Sequence, residues 1–409
     1  MLAFVDTVIV AVGGLFVLVM GAILVHKLLT QLRGAYERRV RADYLPRIQA
    51  YINADTGSFA EFLPGPFGTW ARRVVQWTLL EQIRHVRGRV QDRITTAFEE
   101  LGFVDQERRK LGERRWARRV EGAEKLARMM SRAPLPDLVR LMKDPVPEVR
   151  IRAAKALGAI GGLEAIASLL AALHDTNRWS TLRIADILAG VGPQAVEPLL
   201  REFPDLPGPA RVPAVDILGR LRSHLAVPLL RRLLEDRDAN ARARSAHSLG
   251  VIGDPRAAPD LVEALHDEAW PVRAMAAKAL GMIAGVDGIA ALQAALADKE
   301  WWVRSNAAEA LRAKGEPGYR ALISLLDGPD AYAAQKAAWM LQEAGVFDGY
   351  VKQLVDGEGH EREEARALLG KLVALSRTDL LTDIASRHKD PRIRSAMLEL
   401  LAPSAAGAA

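Results

Sequence analysis

The sequence predicts an all-α protein: a right-handed α-solenoid of about ten helix pairs, preceded by a single transmembrane helix and a juxtamembrane helical segment. Three observations carry this. One phrase recurs at a fixed period, its apolar residues fall at helical spacing, and an uncharged run stands near the amino terminus. The phrase is clearest from Trp270 to Ile283. With Gly281 as a register mark, the corresponding marks are Ala127, Gly158, Gly190, Gly219, Gly250, Arg312, Gln342, Gly370 and Ala402, spaced 28 to 32 residues apart. Leu precedes the mark in every unit except one, where Ala189 stands. Arg stands eight residues before it at Arg119, Arg150, Arg211, Arg242, Arg273, Arg304, Arg362 and Arg394. Periods of this size are the signature of stacked repeats, each too small to bury its own apolar face.

A single unit shows how the pattern becomes structure. Val272, Ala276, Ala277, Leu280 and Ile283 form one helical stripe. Pro271 suits the first turn of that helix, where a missing N–H removes no hydrogen bond. Upstream, Leu261 to Leu265 has the same period, and Asp267 follows as a turn residue. Each unit therefore reads as two antiparallel helices joined by a short polar turn. The alanines let neighbouring helices approach, while Leu280 supplies bulk.

The phrase Asp-x5-Arg-x2-Ala-Ala-x2-Leu-Gly, from Asp267 to Gly281, resembles HEAT repeats, in particular the short type of phycobilisome-lyase-like proteins. The resemblance covers roughly residues 112 to 402. It implies that the Arg and the turn Asp form a ladder between adjacent repeats. Leu182 and Ala334 stand where that Arg is expected, so the ladder should lapse there. The resemblance implies an architecture and by itself no reaction.

Taken in order, the chain divides into an anchor over 1–32, a basic juxtamembrane segment over 33–111, the repeats over 112–402 and a disordered tail over 403–409. Residues 7 to 25 carry no charge and are long enough, at about 1.5 Å per residue, to cross a bilayer core of roughly 30 Å. A cleaved signal peptide would want cations before the run, and the charge that precedes it is Asp6. Lys27, Arg33, Arg38, Arg39, Arg41 and Arg47 follow, so the positive-inside rule puts the carboxyl side in the cytoplasm, with the amino terminus outside the inner membrane. Thr7, Ala11, Gly14 and Gly21 lie near one face of the span, as a helix-packing stripe or as ordinary membrane-helix residues. There is no cysteine, hence no disulfide framework and no thiolate metal site.

Residues 27 to 135 hold 22 Lys and Arg against 13 Asp and Glu, which leaves residues 136 to 409 nearly neutral at −2. Trp70, Val74 and Trp77 share a helical face beside Arg72 and Arg73. This helix either lies in the lipid interface near anionic headgroups or packs on the first repeat. Pro64-Gly65-Pro66 and Gly68 mark the loop before it. From Leu79 the apolar positions 83, 86, 90, 94, 98 and 101 predict one long amphipathic helix ending near Gly102. The basic run Arg114 to Arg119 is explained by repeat register, with Trp116 and Arg119 at repeat positions.

No Gly-rich phosphate loop and no Ser, His and acid constellation stands outside repeat positions. HEAT-type iron hydroxylases resemble this chain in fold and use several His-Glu pairs after the repeat Arg. Here one pair, His360-Glu361, stands before Arg362, and one His with one carboxylate does not complete a metal site. Neither metal nor cofactor is expected. Trp116, Trp179, Trp270 and Trp301 each stand eleven residues before a mark, where a second helix begins. The recurrence suits a staple on the helix's first turn; an exposed aromatic ladder is the alternative. Trp302 and Trp339 break that pattern and are the better contact residues. The second helices should line a groove. Three places before the marks stand Glu124, Lys155, Ile187, Asp216, His247, Lys278, Glu309, Trp339, Ala367 and Glu399, with no cationic track for nucleic acid. Ile151, Ile184, Ile187, Met275, Trp301, Trp302 and Trp339 would serve a protein partner at the membrane.

The reading is a membrane-anchored, non-catalytic scaffold or accessory subunit. It is similar to membrane-anchored bacterial HEAT proteins of envelope or polysaccharide machinery. The alternative that the repeats suggest is a bilin lyase or isomerase. Pigment co-purifying with the chain would distinguish it.

Overall fold

The computed structural model describes residues 2–401 apart from 55, 63–67, 176–179 and 376; side chains are described from Gly14 onward, Val17 excepted. Among the described residues every regular element is a helix. The Pro64–Pro66 loop, Trp179 and the expected tail lie outside them. The chain forms two compact units, Met1–Ser168 and Leu169–Ala409.

In the first unit, helix α1 runs from Leu2 to Asn53. The boundary expected at residue 32 thus falls inside one continuous helix. Its first part is bare: Leu15, Phe16, Leu18, Ile23 and Leu24 are exposed, and so are Leu28, Leu29 and Leu32 beyond Lys27. Its second part is packed. Val40, with Tyr44 alongside, meets Ala71 and Val74 of α2 (Thr69–Gln82). Ile48 and Tyr51 are fully buried lower down. Tyr51 donates to the Arg93 carbonyl and meets Phe59 and Phe62 edge-on, so the far end of α1 is held on α3 (Arg89–Glu100).

The long helix expected from Leu79 to Gly102 is broken. After α2 a short 3₁₀ turn covers Ile83–His85, and α3 begins only after Gly88, whose φ of +63° and ψ of −142° suit glycine alone. The apolar period runs on because both pieces bury the same side of the unit: Ile83, Ile94 and Phe98 are all core residues. Periodicity reports which face is buried, and a glycine can turn the backbone without disturbing it. Gly102 does end this stretch, at φ +66°.

The repeats start with α4 (Phe103–Lys110) paired to α5 (Trp116–Met129), so the first helix of the first pair lies upstream of residue 112. Glu107 of α4 is completely buried between Lys110 and Lys125, and Lys110 and Lys125 also hold Glu121, so two acids alternate with two lysines. Those lysines bring the Glu121 carboxyl down to about 2. The pair α6 (Leu135–Leu141) and α7 (Pro147–Ile160) follows, then α8 (Leu163–His174), within which the unit boundary falls.

The second unit continues the same pairing. Helix α9 (Thr181–Val191) follows α8 in the chain. Then come α10 (Val196–Glu202) and α11 (Gly208–Arg220), α12 (Val227–Arg232) and α13 (Ala239–Ile252), α14 (Ala258–Ala264) and α15 (Trp270–Met282). The last pairs are α16 (Ile289–Ala295) with α17 (Trp301–Ala313), α18 (Glu316–Leu325) with α19 (Ala331–Glu343), α20 (Val346–Asp356) with α21 (His360–Ala374), and α22 (Thr378–Arg387) with α23 (Pro391–Leu401). Every register mark but Ala402, which lies outside the described residues, falls on the second helix of a pair.

At three of the marks glycine has a steric reason. A Cβ at Gly250 would stand 2.6 Å from the Ala279 Cα, one at Gly281 2.7 Å from the Ala310 Cα, and one at Gly219 2.9 Å from the Ser248 Cα. In each case the next second helix crosses with its backbone against the glycine, at the small residue two before its own mark. Gly190 and Gly370 have nothing within 4 Å of the same point.

The Arg–Asp ladder is also formed. Arg242 holds Asp267 at 2.7 and 2.9 Å, and Arg273 holds Asp298 with the same two distances. Arg119 pairs with Asp144, and Arg211 with Asp236. The guanidinium of Arg273 also donates back to the carbonyls of Asp267 and Glu268, in the turn before its own helix. Each Asp in turn accepts from the N–H two residues on, as Asp267 does from Ala269. One Arg thereby joins two successive turns, and one Asp shapes its own turn while receiving the Arg of the unit before. Burial pushes the carboxyls of Asp267 and Asp298 up, but the guanidinium and the backbone N–H outweigh it and hold both below the ordinary range.

The ladder ends at Arg304. Twenty-five residues on, where the acid should be, stands Pro329; the guanidinium lies over the Tyr332 ring at 4.0 Å, and its buried Nε has no hydrogen-bond partner among the described residues. Arg362 and Arg394 meet carbonyl oxygens only at 3.5 Å. Leu182 is exposed and Ala334 buried.

Two outcomes follow for unfolding of the intact chain. Gly250→Ala forces two backbones apart and should cost about 1–3 kcal/mol, whereas Gly370→Ala, with open space, should be neutral or gain up to about 1 kcal/mol; equal effects in urea melts would remove the steric account of the marks. Because Asp267 and Asp298 have lowered folded values, their contribution is present above the ordinary carboxylate pKa of about 4 and fades as pH falls through the folded values. Arg273→Met should cost roughly 3 kcal/mol at neutral pH, leaving Asp298 half-buried without its cation, and should flatten the loss of stability below pH ~4. Parallel acid limbs in the two proteins would show that the pair adds nothing.

Candidate partner-binding surface

The tryptophans sit where the turns end. Trp116, Trp270 and Trp301 are the first residues of α5, α15 and α17, and each keeps between 42 and 51% of its surface exposed. A staple that covered the ring would leave less. These indoles are thus partly exposed aromatics at the starts of the second helices, with about half of each surface covered. Trp302 is more exposed still, at 56%, and its ring meets Trp301 edge-on with centroids 4.7 Å apart. Two neighbouring indoles in that arrangement form one preordered apolar projection.

Trp339 stands in the middle of α19, three before its mark, and is 45% exposed with the Arg377 guanidinium 5.8 Å from its ring. Two of the other residues three before the marks are tied to the next unit by charge. Glu124 meets Arg152 at 2.9 Å, and Asp216 meets Arg244 at 3.4 Å. His247 stands in the same row, where burial and then the cations of Lys278 and Arg244 push its imidazole below the usual range. These positions are thus mixed in sign and partly self-paired.

Of the aliphatic residues expected there, Ile151, Ile187 and Met275 are half-buried and remain available. Ile184 is not: it is completely buried, one turn before Leu188 on the same face of α9, and belongs to the core. His360 and Glu361 open α21 as exposed residues, and among the described residues no group of three or more His, Asp or Glu could hold a metal ion.

At the other end of the chain, the structure divides the four residues expected at a lipid interface. Trp70 and Trp77 are exposed, Trp70 lying between Arg33 at 5.7 Å and Arg73 at 5.5 Å. Val74, placed with them by spacing, is buried against α1. Arg72 points the other way. It donates to the Leu101 carbonyl and lies over the Phe103 ring at 4.7 Å, so it ties α2 to the start of α4 and is no headgroup contact. A cleft of about 520 Å³ opens between α1 and α2, with Gly34, Glu37, Arg38 and Arg41 on one wall and Trp70, Arg73, Val74 and Trp77 on the other. The sequence held a signal for it: Gly34, Arg38 and Arg41 follow helical spacing on one face of α1.

No curated protein matches this chain in sequence. Among solved structures, it is similar to an engineered protein, at 21% identity over 73% of this chain and 98% of that one, with a TM-score of 0.38. It is also similar to the karyopherin Kap121p, bound to the extreme C-terminus of the protein phosphatase Cdc14p, at 14% identity over 87% of this chain with a TM-score of 0.43; the chain spans about half of Kap121p, 49%. Importin beta matches at 15% identity over 91% of this chain and 65% of its own length, with a TM-score of 0.41. The model of the family described as HEAT repeats matches residues 110–189, 196–281 and 258–342, more than half of the chain and in register with the helix pairs above. With its glycine marks and its Arg–Asp ladder, the chain belongs to the HEAT-repeat family.

Proposed function

We propose that this chain is a membrane-anchored HEAT-repeat scaffold, without catalysis of its own, that holds a protein partner beside the cytoplasmic face of the inner membrane. The observation that carries the partner is the Trp301–Trp302 projection. Two large indoles, each about half exposed, stand at a helix start where Ala or Lys would stack as well. Trp339, on the second helix of the next unit, supplies a further exposed aromatic.

The anchor rests on α1. Its most apolar stretch has a mean hydropathy of 1.9, and none of that stretch is buried. A core helix of comparable length would be covered by the rest of the protein. The cations that follow, from Lys27 to Arg47, support the orientation by the positive-inside rule.

Pull-down from detergent-solubilised membranes, read by mass spectrometry, identifies the partner. Changing Trp302 and Trp339 together to Ala should then weaken its binding by roughly 2 kcal/mol or more, with the melting temperature and helix content held. A large drop in melting temperature with unchanged affinity would show instead that the indoles serve the fold. Protease added to intact spheroplasts should leave the repeats uncut; digestion from outside would reverse the orientation.

A further inference from the structure

The cleft between α1 and α2 is built from residues that the partner reading does not use. Gly34 leaves one wall as bare helix backbone, and a Cβ there would come within 3.4 Å of the Arg38 guanidinium. Trp77 is fixed by Arg41, 4.8 Å from its ring, which is itself held by Glu81 at 2.7 Å. Trp70 is fixed by the guanidinium groups of Arg33 and Arg73. Among the described residues, neither Arg38 nor Arg73 has a carboxylate within ion-pair distance, though both line the cleft. One acid, Glu37, stands among them.

Its height along α1 is as informative as its lining. The exposed apolar run ends at Leu32. At about 1.5 Å per residue, Gly34 lies roughly 3 Å and Arg38 roughly 9 Å past that point. A bilayer's polar layer is about 5–8 Å deep on each side of its hydrocarbon core, so the cleft begins within that layer at Gly34, and Arg38 stands at its outer edge, where a headgroup phosphate is reached by the length of the arginine side chain. Tryptophan is favoured at that level, its ring half apolar and half wet.

We propose that this cleft binds the headgroup of an anionic glycerophospholipid that carries free hydroxyls. Arg38 and Arg73 hold the phosphate, Glu37 accepts a hydrogen bond from a headgroup hydroxyl, and Trp70 and Trp77 wall the glycerol portion. The acyl chains lie along Leu28, Leu29 and Leu32. The assignment rests on the anchored reading of α1 and goes beyond it, because a span needs no particular lipid.

The test uses the full chain in neutral detergent micelles, titrated with phosphatidylglycerol and, separately, phosphatidylcholine, with bound lipid counted by native mass spectrometry. The wild type should retain phosphatidylglycerol in preference to phosphatidylcholine. Gly34→Leu keeps every cation, favours the helix and fills the cleft; it should lose at least about tenfold in that preference, as should the Arg38→Gln/Arg73→Gln double variant. If Gly34→Leu binds as the wild type does, attraction is diffuse and the cleft is not a site. Equal retention of the two lipids overturns the proposal in the same way. Glycerol phosphate displacing the lipid at equal concentration would show the ligand to be a free phosphate ester and refute the lipid assignment. Carbonate extraction of membranes reads the span alone: release of the chain would refute the anchor, while the micelle titration still reads the cleft.

Discussion

The repeats depend on one close approach. Where Gly219, Gly250 and Gly281 meet the next second helix, the two backbones are nearly in contact, with no room for a methyl group. Only small residues can stand beside such a crossing, which is why Ala276, Ala277 and Ala279 are wholly buried while bulk is confined to Leu280. The same spacing brings successive turns within an arginine's reach, so Arg242 and Arg273 can each bind the backbone of one turn and the carboxylate of the next. The ladder is thus a consequence of the crossing. Its net worth is modest, since burying an ion pair costs most of what the attraction returns; what it fixes is the register of one turn on another.

Where the crossing relaxes, the surface changes. The next two marks after Gly281 are Arg312 and Gln342, too large for backbone contact, and Arg312 is instead paired with Glu309. In the same stretch Pro329 replaces the ladder acid and Arg304 turns to Tyr332. Trp301, Trp302 and Trp339 are concentrated there too. Units released from the tightest packing rule are free to carry large side chains outward, and these three do.

Much of this was legible because repetition multiplies weak signals. A single Leu-Gly says little; ten near-copies locate the second helix of each pair, and all nine marks within the described residues fall on one. The turn Asp and the Arg were legible as partners through the family resemblance, and the end of the ladder could have been read from Pro329 at the acid's place. What the pattern concealed was direction. Ile184 and Met275 hold the same register position, yet one is core and the other half-exposed. Arg72 and Arg73 are adjacent, yet one serves the Leu101 carbonyl and the other the cleft. Gly88 broke a helix whose apolar period continues across it, because period records burial and is silent on a single glycine's φ. The cleft itself needed two helices far apart in sequence to be set side by side.

Helix α1 has a mechanical corollary. It does not stop at the end of its apolar run but continues to Asn53, braced by Val40 on α2 and by Ile48 and Tyr51 deeper in the unit. The 21 residues after Leu32 make a stiff arm of about 30 Å. Were its base held in a bilayer, as proposed above, such an arm would work as both spacer and lever. It fixes the height at which α2 and α3 ride, and a change in the span's tilt of about 20°, within the range such helices adopt, would swing its far end by roughly 10 Å. Bilayer thickness would then be felt as a displacement of the protein that the arm carries.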